Sequence, residues 1–366
     1  MGRSGPLSSP LADGPAQSYK EHEMRSFMLA LAGTVFLAPA MHSGAAAEPL
    51  KVVASFSIIG DLARNVGGDR IELTTLVGPN GDAHVYEPRP ADAAAVARAD
   101  VVLINGLHFE GFLSRLTEAS GKDVPVVELT RGVTPIAMDE DGHHHEDGDG
   151  DEAKADDHGH DHAEGEDDHA KEAADGHDHD EAGHGHEHEG GVDPHAFQSA
   201  PNVTIYVRNI ADAFCDHDPA GCDGYRQNAA TYTARLDALD AEIRAIIGSI
   251  PQDKRRVITS HDAFGYFAAT YGITFLAPEG ISTEAEASAT DVAALIRQIR
   301  EDKASAVFVE NITNTRLIEQ IASETKLTIG GTLYSDALSD ADGPAGTYID
   351  LMRHNAETIA GAISGS

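Results

Sequence analysis

The sequence predicts an α/β protein of two similar lobes, each with a parallel sheet, joined by a long rigid helix. Three observations predict it. Strand-like and helix-like segments alternate through residues 51–129, and the same rhythm returns after residue 252. Repeated βα units of this kind build parallel sheets. Between the blocks runs one unbroken helical stripe of Tyr225, Ala229, Tyr232, Leu236, Leu239, Ile243, Ile246 and Ile250, spaced alternately by four and three. That is one face of a single helix. Finally, 366 residues with 41% hydrophobic content suffice for two cores, at roughly 100–200 residues per domain.

In order along the chain, residues 51–56 and 71–77 read as strands with a helix over 58–66 between them. A Gly-Pro-Asn-Gly-Asp loop occupies 78–82. A helix over 91–99 precedes a continuous apolar strand over 100–105, the pattern of a strand covered on both faces. A helix over 110–119 and a strand over 124–129 close the first block. A helix over 202–214 leads into the stretch from Cys215 to Cys222. The striped helix, residues 225–250, is about 40 Å long at 1.5 Å per residue and stops at Pro251. The second block has strands over 256–260, 273–277, 306–310 and 327–333. Its helices cover 263–270, 291–302 with Thr290 as N-cap, 315–325 and 348–363.

The formal charge is −35, which argues against nucleic acid or an anionic membrane surface as partner and favours cations. More than half of it comes from residues 139–191, with 22 acidic residues, two basic ones and 12 of the 20 histidines. This window has no large apolar residue and cannot repay the entropy of ordering, so it reads as a disordered loop. Its histidines are His143, His144, His145, His158, His160, His162, His169, His177, His179, His184, His186 and His188. The His-x-His and His-His-His repeats suit transition-metal chelation; the plainer alternative is a solvated spacer.

Residues 1–47 read as a leader. Met24-Arg25, an apolar run over 27–37 and the small residues at 44–47 form a signal peptide, with cleavage expected after Ala47. The apolar run is shorter than the roughly 20 residues a membrane span needs. No cysteine lies near the cleavage site, which argues against a lipid anchor. The domain reading is therefore leader 1–47, first lobe 48–138, His-rich loop 139–191, the end of the first lobe 192–223, linker helix 224–251 and second lobe 252–366. In an exported protein Cys215 and Cys222 read as a local disulfide, which closes a short loop for about 2.5 kcal/mol.

Few mature histidines lie outside the loop. His84 follows the strand ending at residue 77, His195 precedes a helix, and His261 ends a strand. Asp336 follows the last strand. Ligands of open α/β sheets bind at the carboxyl ends of strands, so all four can face one inter-lobe cleft. Three imidazoles and one carboxylate fit a tetrahedral zinc shell, and a closed shell suits capture rather than catalysis. His108, His217 and His354 read as non-ligands.

Four motifs carry a specific resemblance: His-Val-Tyr-Glu-Pro at 84–88, Asp-Pro-His at 193–195, His-Asp-Ala-Phe-Gly-Tyr-Phe at 261–267 and Ser-Asp-Ala-Leu at 335–338. In this order they resemble the ligand motifs of the cluster A-I family, the solute-binding proteins of zinc and manganese ABC importers. The resemblance spans about 51–362, apart from the acidic window. It implies two α/β lobes on a rigid helix, with His84, His195, His261 and Asp336 as the metal ligands. It implies a periplasmic, monomeric protein with no enzymatic step. An ABC permease with its ATPase is the implied partner, with a periplasmic metallochaperone in some systems. The family often carries Trp where this chain has Phe197. Manganese-type members usually carry Glu where this chain has His261, so the N₃O set favours Zn²⁺. A manganese importer subunit, a secreted zinc buffer and a secreted zinc enzyme are the competing classes. Against the enzyme, no His-Glu-x-x-His motif occurs.

Overall fold

Val101–Ile104 is buried along its whole length, and its two neighbours in the sheet come from stretches on either side of it in sequence. The computed structural model describes residues 48–137, 191–280, 282–283 and 287–365. The proposed leader and the histidines of the acidic window lie outside the described residues.

The first sheet is built from β1 (Leu50–Phe56), β2 (Ile71–Val77), β3 (Val101–Ile104) and β4 (Val126–Glu128), ordered β2-β1-β3-β4 and wholly parallel. β1 is buried apart from Lys51, whereas β2 at the sheet edge alternates between covered and exposed positions. Helices α1 (Ser57–Gly67), α2 (Pro90–Arg98) and α3 (Leu113–Ser120) make the crossovers. α4 (Ala200–His217) and α5 (Cys222–Gly248) follow. The second sheet has β5 (Arg256–Ile258), β6 (Thr274–Leu276), β7 (Ala306–Glu310) and β8 (Ile329–Leu333) in the equivalent order β6-β5-β7-β8, again parallel. Its helices are α6 (Gly265–Tyr271), α7 (Ala289–Asp302), α8 (Thr315–Thr325) and α9 (Tyr348–Ser364).

α5 has 27 residues and packs on α1, α4, α6 and α9, so it touches both lobes. Its buried stripe is Tyr225, Tyr232, Leu236, Leu239, Ile243 and Ile247, continued by Ile250. The sequence spacing had pointed to Ile246, which is only partly covered. A strict seven-residue repeat drifts by about 20° per heptad on a straight 3.6-residue helix, which brings Ile247 into the core by the third heptad. α7 also departs from expectation. Its N-cap is Ser288, not Thr290: the Ser288 hydroxyl accepts from Asp291 N–H at 3.2 Å, and Asp291 returns the bond in a capping box.

Cys215 and Cys222 form a disulfide that ties the end of α4 to the start of α5. Between them Asp218 accepts from the Arg70 guanidinium at 2.6 Å and from the Tyr225 hydroxyl at 2.7 Å. His217 is exposed beside it. No described helix is long and apolar enough to cross a membrane.

The backbone on either side of the acidic window comes together. Ala137 and Val192 form an antiparallel bridge, and Asp193 N–H donates to the Ile136 carbonyl at 3.0 Å. The window therefore leaves and re-enters the fold at one point, three residues before His195.

Candidate metal centre

Each of the four expected residues sits just beyond an element end, where the chain leaves its sheet or enters a helix. His84 lies in the loop after β2, His195 in the turn before α4, His261 after β5 and Asp336 after β8. All four are buried, and one ligand atom from each lies within 4.8 Å of the others. Asp336 is the hub. Its Oδ2 is 3.1 Å from His84 Nε2 and 3.1 Å from His261 Nε2, and its Oδ1 is 3.5 Å from His195 Nε2. His195 Nε2 and His84 Nε2 are 3.4 Å apart. A tetrahedral shell with bonds near 2.0–2.1 Å has edges of about 3.4 Å, so these contacts match the edges of one. Asp336 Oδ1 is buried without a hydrogen-bond partner among the described residues. A buried carboxylate oxygen left this way is costly unless a cation takes it up.

The residues around the cluster orient it. His195 Nδ1 lies 2.9 Å from Asp193 Oδ1, which also accepts the His195 backbone N–H at 2.8 Å. His261 Nδ1 lies 2.7 Å from Glu310 Oε2 in an ion-pair contact. Glu310 Oε1 accepts the backbone N–H groups of Ser260 and His261 at 2.7 and 3.0 Å. Both carboxylates turn the Nε2 atom of their imidazole toward Asp336, the arrangement that fixes tautomer and basicity in metal-bound histidines. Phe109 packs edge-on against His84 and His195, and Phe197 packs against His195 and Phe56. Phe197 is thus a fully buried part of the apolar wall.

The electrostatics couple the groups. Burial works against a charged His195, but the Asp336 and Asp193 carboxylates outweigh it and raise its pKa to about 9. For His261 burial is likewise outweighed, by Glu310 and Asp336, and its pKa lies well above that of free imidazole. Burial alone would raise the Asp336 pKa, but His195 and His261 hold it well below the usual carboxylate range. The cluster without metal is a proton-bridged ion network, and a divalent cation would take the protons' place.

Sequence reasoning passed over Glu310. Its signal was a single charged residue closing the apolar strand β7, adjacent to β5 in the sheet though distant in sequence. Asp193 stood in a quoted motif without a role. His108 and His217 are exposed and outside the cluster. His354 is engaged elsewhere, with Nε2 3.0 Å from the Thr332 carbonyl oxygen.

The family model ZnuA, zinc-uptake complex component A periplasmic, matches residues 52–362. The iron-binding protein YfeA of Yersinia pestis is 32% identical over 314 residues, covering 86% of both chains. The manganese-binding lipoprotein MntA of Bacillus subtilis is 30% identical over 321 residues, 86% of this chain and 90% of that one. Among solved structures, the periplasmic zinc binding protein TroA from Treponema pallidum superposes with a TM-score of 0.70 at 26% identity, covering 86% of this chain and 99% of that one. The Mn-bound periplasmic metal binding protein from Candidatus Liberibacter asiaticus gives 0.67 at 28% identity, covering 85% and 98%.

Proposed function

The chain belongs to the periplasmic metal-binding family of zinc-uptake component A, substrate-binding proteins of ABC transporters, and from this premise we propose that its cargo is Zn²⁺. Such proteins bind and release, with no covalent step. The protein works outside the cytoplasm with a permease and its ATPase; delivery of zinc to that permease from the periplasm is the finer reading. The observation that carries it is the convergence of His84, His195, His261 and Asp336 on one buried point, where Asp336 Oδ1 has an ion-pair contact with His195 but no hydrogen-bond partner among the described residues. The set offers three imidazole nitrogens and one carboxylate. Nitrogen-rich shells suit Zn²⁺ and carboxylate-rich ones Mn²⁺, and at equal ligands the affinity order also puts Zn²⁺ above Mn²⁺ and Fe²⁺. The names of the iron- and manganese-binding relatives favour a second reading, a manganese or iron carrier. Competition between Zn²⁺, Mn²⁺ and Fe²⁺ for one site on the full chain separates the two. Binding of Mn²⁺ or Fe²⁺ as tight as Zn²⁺ would overturn the zinc reading.

The histidines of residues 138–190 supply an auxiliary chelating segment in this reading. Tethered at the Ala137–Val192 bridge, it holds zinc at high local concentration near His195.

A further inference from the structure

His195 lies before α4 and Asp336 after β8, and a buried side chain joins the two segments. Gln198 ends the short 3₁₀ turn that follows His195. Its backbone N–H donates to the His195 carbonyl at 2.9 Å, and its side-chain Nε2 donates to the Ser335 carbonyl at 2.5 Å. The Ser335 carbonyl belongs to the peptide bond that leads into Asp336. Gln198 therefore holds both ligand-bearing peptides at once, one by its main chain and the other by its amide. Gln198, His195, Ser335 and Asp336 are all fully buried.

Other bonds seat each segment in its own surroundings. Asn355 accepts the Tyr334 N–H at 2.9 Å and donates to the Tyr334 carbonyl at 2.8 Å. Ser57 Oγ accepts the Leu338 N–H at 3.0 Å. On the His195 side, Asn105 Nδ2 donates to the Pro194 carbonyl at 2.8 Å, and the Tyr348 hydroxyl donates to the Phe197 carbonyl at 2.8 Å. The Gln198 bond sets one segment directly against the other, and with it the 3.5 Å edge from His195 Nε2 to Asp336 Oδ1. Stability does not account for this residue. Gln198 Oε1 is buried without a hydrogen-bond partner among the described residues. An unpaired buried acceptor is costly, and an apolar side chain of the same length would avoid that cost.

We infer that Gln198 is a positioning residue: it fixes the separation of His195 and Asp336 and so matches the site to the radius of its cation. The inference rests on the ligand assignment proposed above. A tetrahedral zinc shell has bonds near 2.0–2.1 Å and correspondingly short edges. Cd²⁺ shares the filled d shell of Zn²⁺, and so its lack of a d-electron preference for geometry, but it is larger. The Zn²⁺-to-Cd²⁺ affinity ratio, compared between variants that keep the same four ligands, isolates the effect of radius.

Competition between Zn²⁺ and Cd²⁺ on the full chain tests this, with total metal below one equivalent so that the tightest site fills first. Gln198→Met keeps the length of the side chain and removes the donor. It weakens Zn²⁺ about tenfold, as loss of an outer-shell partner does, and Cd²⁺ less than about twofold, so the ratio narrows about fivefold. Tyr348→Phe removes a neighbouring buried bond; it lowers the melting temperature and leaves the ratio at the parent value. Gln198→Leu repeats the measurement if the methionine variant does not fold. Equal weakening of both ions, an unchanged ratio, or a shift as large in Tyr348→Phe overturns the inference. Failure of both Gln198 variants to fold overturns it too, since the amide would then serve the fold and not the radius. Parent-like binding of both ions by His195→Ala overturns the ligand assignment instead.

Discussion

Asp193 Oδ2 occupies the space that a Cβ at Gly265 would fill, so the carboxylate orienting His195 in one lobe is seated on the start of α6 in the other. Gly265→Ala should push Asp193 away and loosen the His195 ring. Loss of an outer-shell partner typically costs about 10–100-fold in metal affinity. Zinc titration of the variant should fall in that range with the fold retained by circular dichroism; parent affinity would show that the contact is idle.

Glu310→Gln removes the charge behind His261 while leaving an oxygen for the Ser260 and His261 N–H groups. Zinc affinity should again drop about 10–100-fold. His261→Ala and Asp336→Ala, which delete ligands, should exceed that loss, and His354→Ala should leave affinity at the parent value. Calorimetry across the four variants checks the ranking.

His261→Glu replaces one imidazole with a carboxylate and should narrow the preference for Zn²⁺ over Mn²⁺. Competition titration of parent and variant side by side measures this. An unchanged ratio would remove residue 261 from the choice of metal.

The metal-free protein should lose stability as pH rises. His195 has its pKa at about 9 in the fold, against about 6.5 when unfolded. Its stabilising charge is fully present below pH 6.5 and disappears as pH climbs through 9. His261, also raised, acts in the same direction. Asp336 is depressed, so its contribution persists above the ordinary carboxylate pKa and fades only in strong acid. Metal-loaded protein should instead gain stability up to about pH 6.5, where unfolded imidazoles lose their protons, and then hold level to about pH 9, because tighter binding offsets the loss seen in the stripped form. Melting curves of stripped and loaded protein test this divergence. Calorimetry in buffers of different ionisation enthalpy should show about one to two protons released per metal at pH 7.5.

Replacing residues 139–191 by a two-residue Asn-Gly turn, which leaves the Ala137–Val192 bridge room to form, should preserve the fold and one tight site while removing weaker zinc sites. The parent's extra capacity should fall as pH drops through about 6.5, where free imidazole protonates. Unchanged total zinc stoichiometry after the deletion would leave the segment a spacer.

The site was legible because each proposed ligand is a polar residue stranded at the end of an apolar or helical run. His261 lies three residues beyond the mostly buried β5, and Asp336 follows β8, whose last residue, Leu333, is buried. Glu310 was not legible as a partner of His261, because the β5–β7 pairing that unites them skips over β6 in sequence. The lacing of Phe197 by Tyr348 was hidden for the same reason, with 151 positions separating the two. Helix ends were displaced where a cap competed: Ser288 outdid Thr290 because only Ser288 has an acid three residues on. At α5 the alternating steps fixed the face but not its slow rotation.

The Ala137–Val192 bridge has an evolutionary consequence. Where the two feet of an insertion are already paired, its length is nearly decoupled from the stability of the domain, since doubling a flexible loop adds only about 0.6 kcal/mol of closure cost. Histidines and acids can be gained or lost between those feet without disturbing strand register or ligand geometry. With that segment as the proposed chelator, its capacity and the affinity of the buried site would be open to independent selection on one chain.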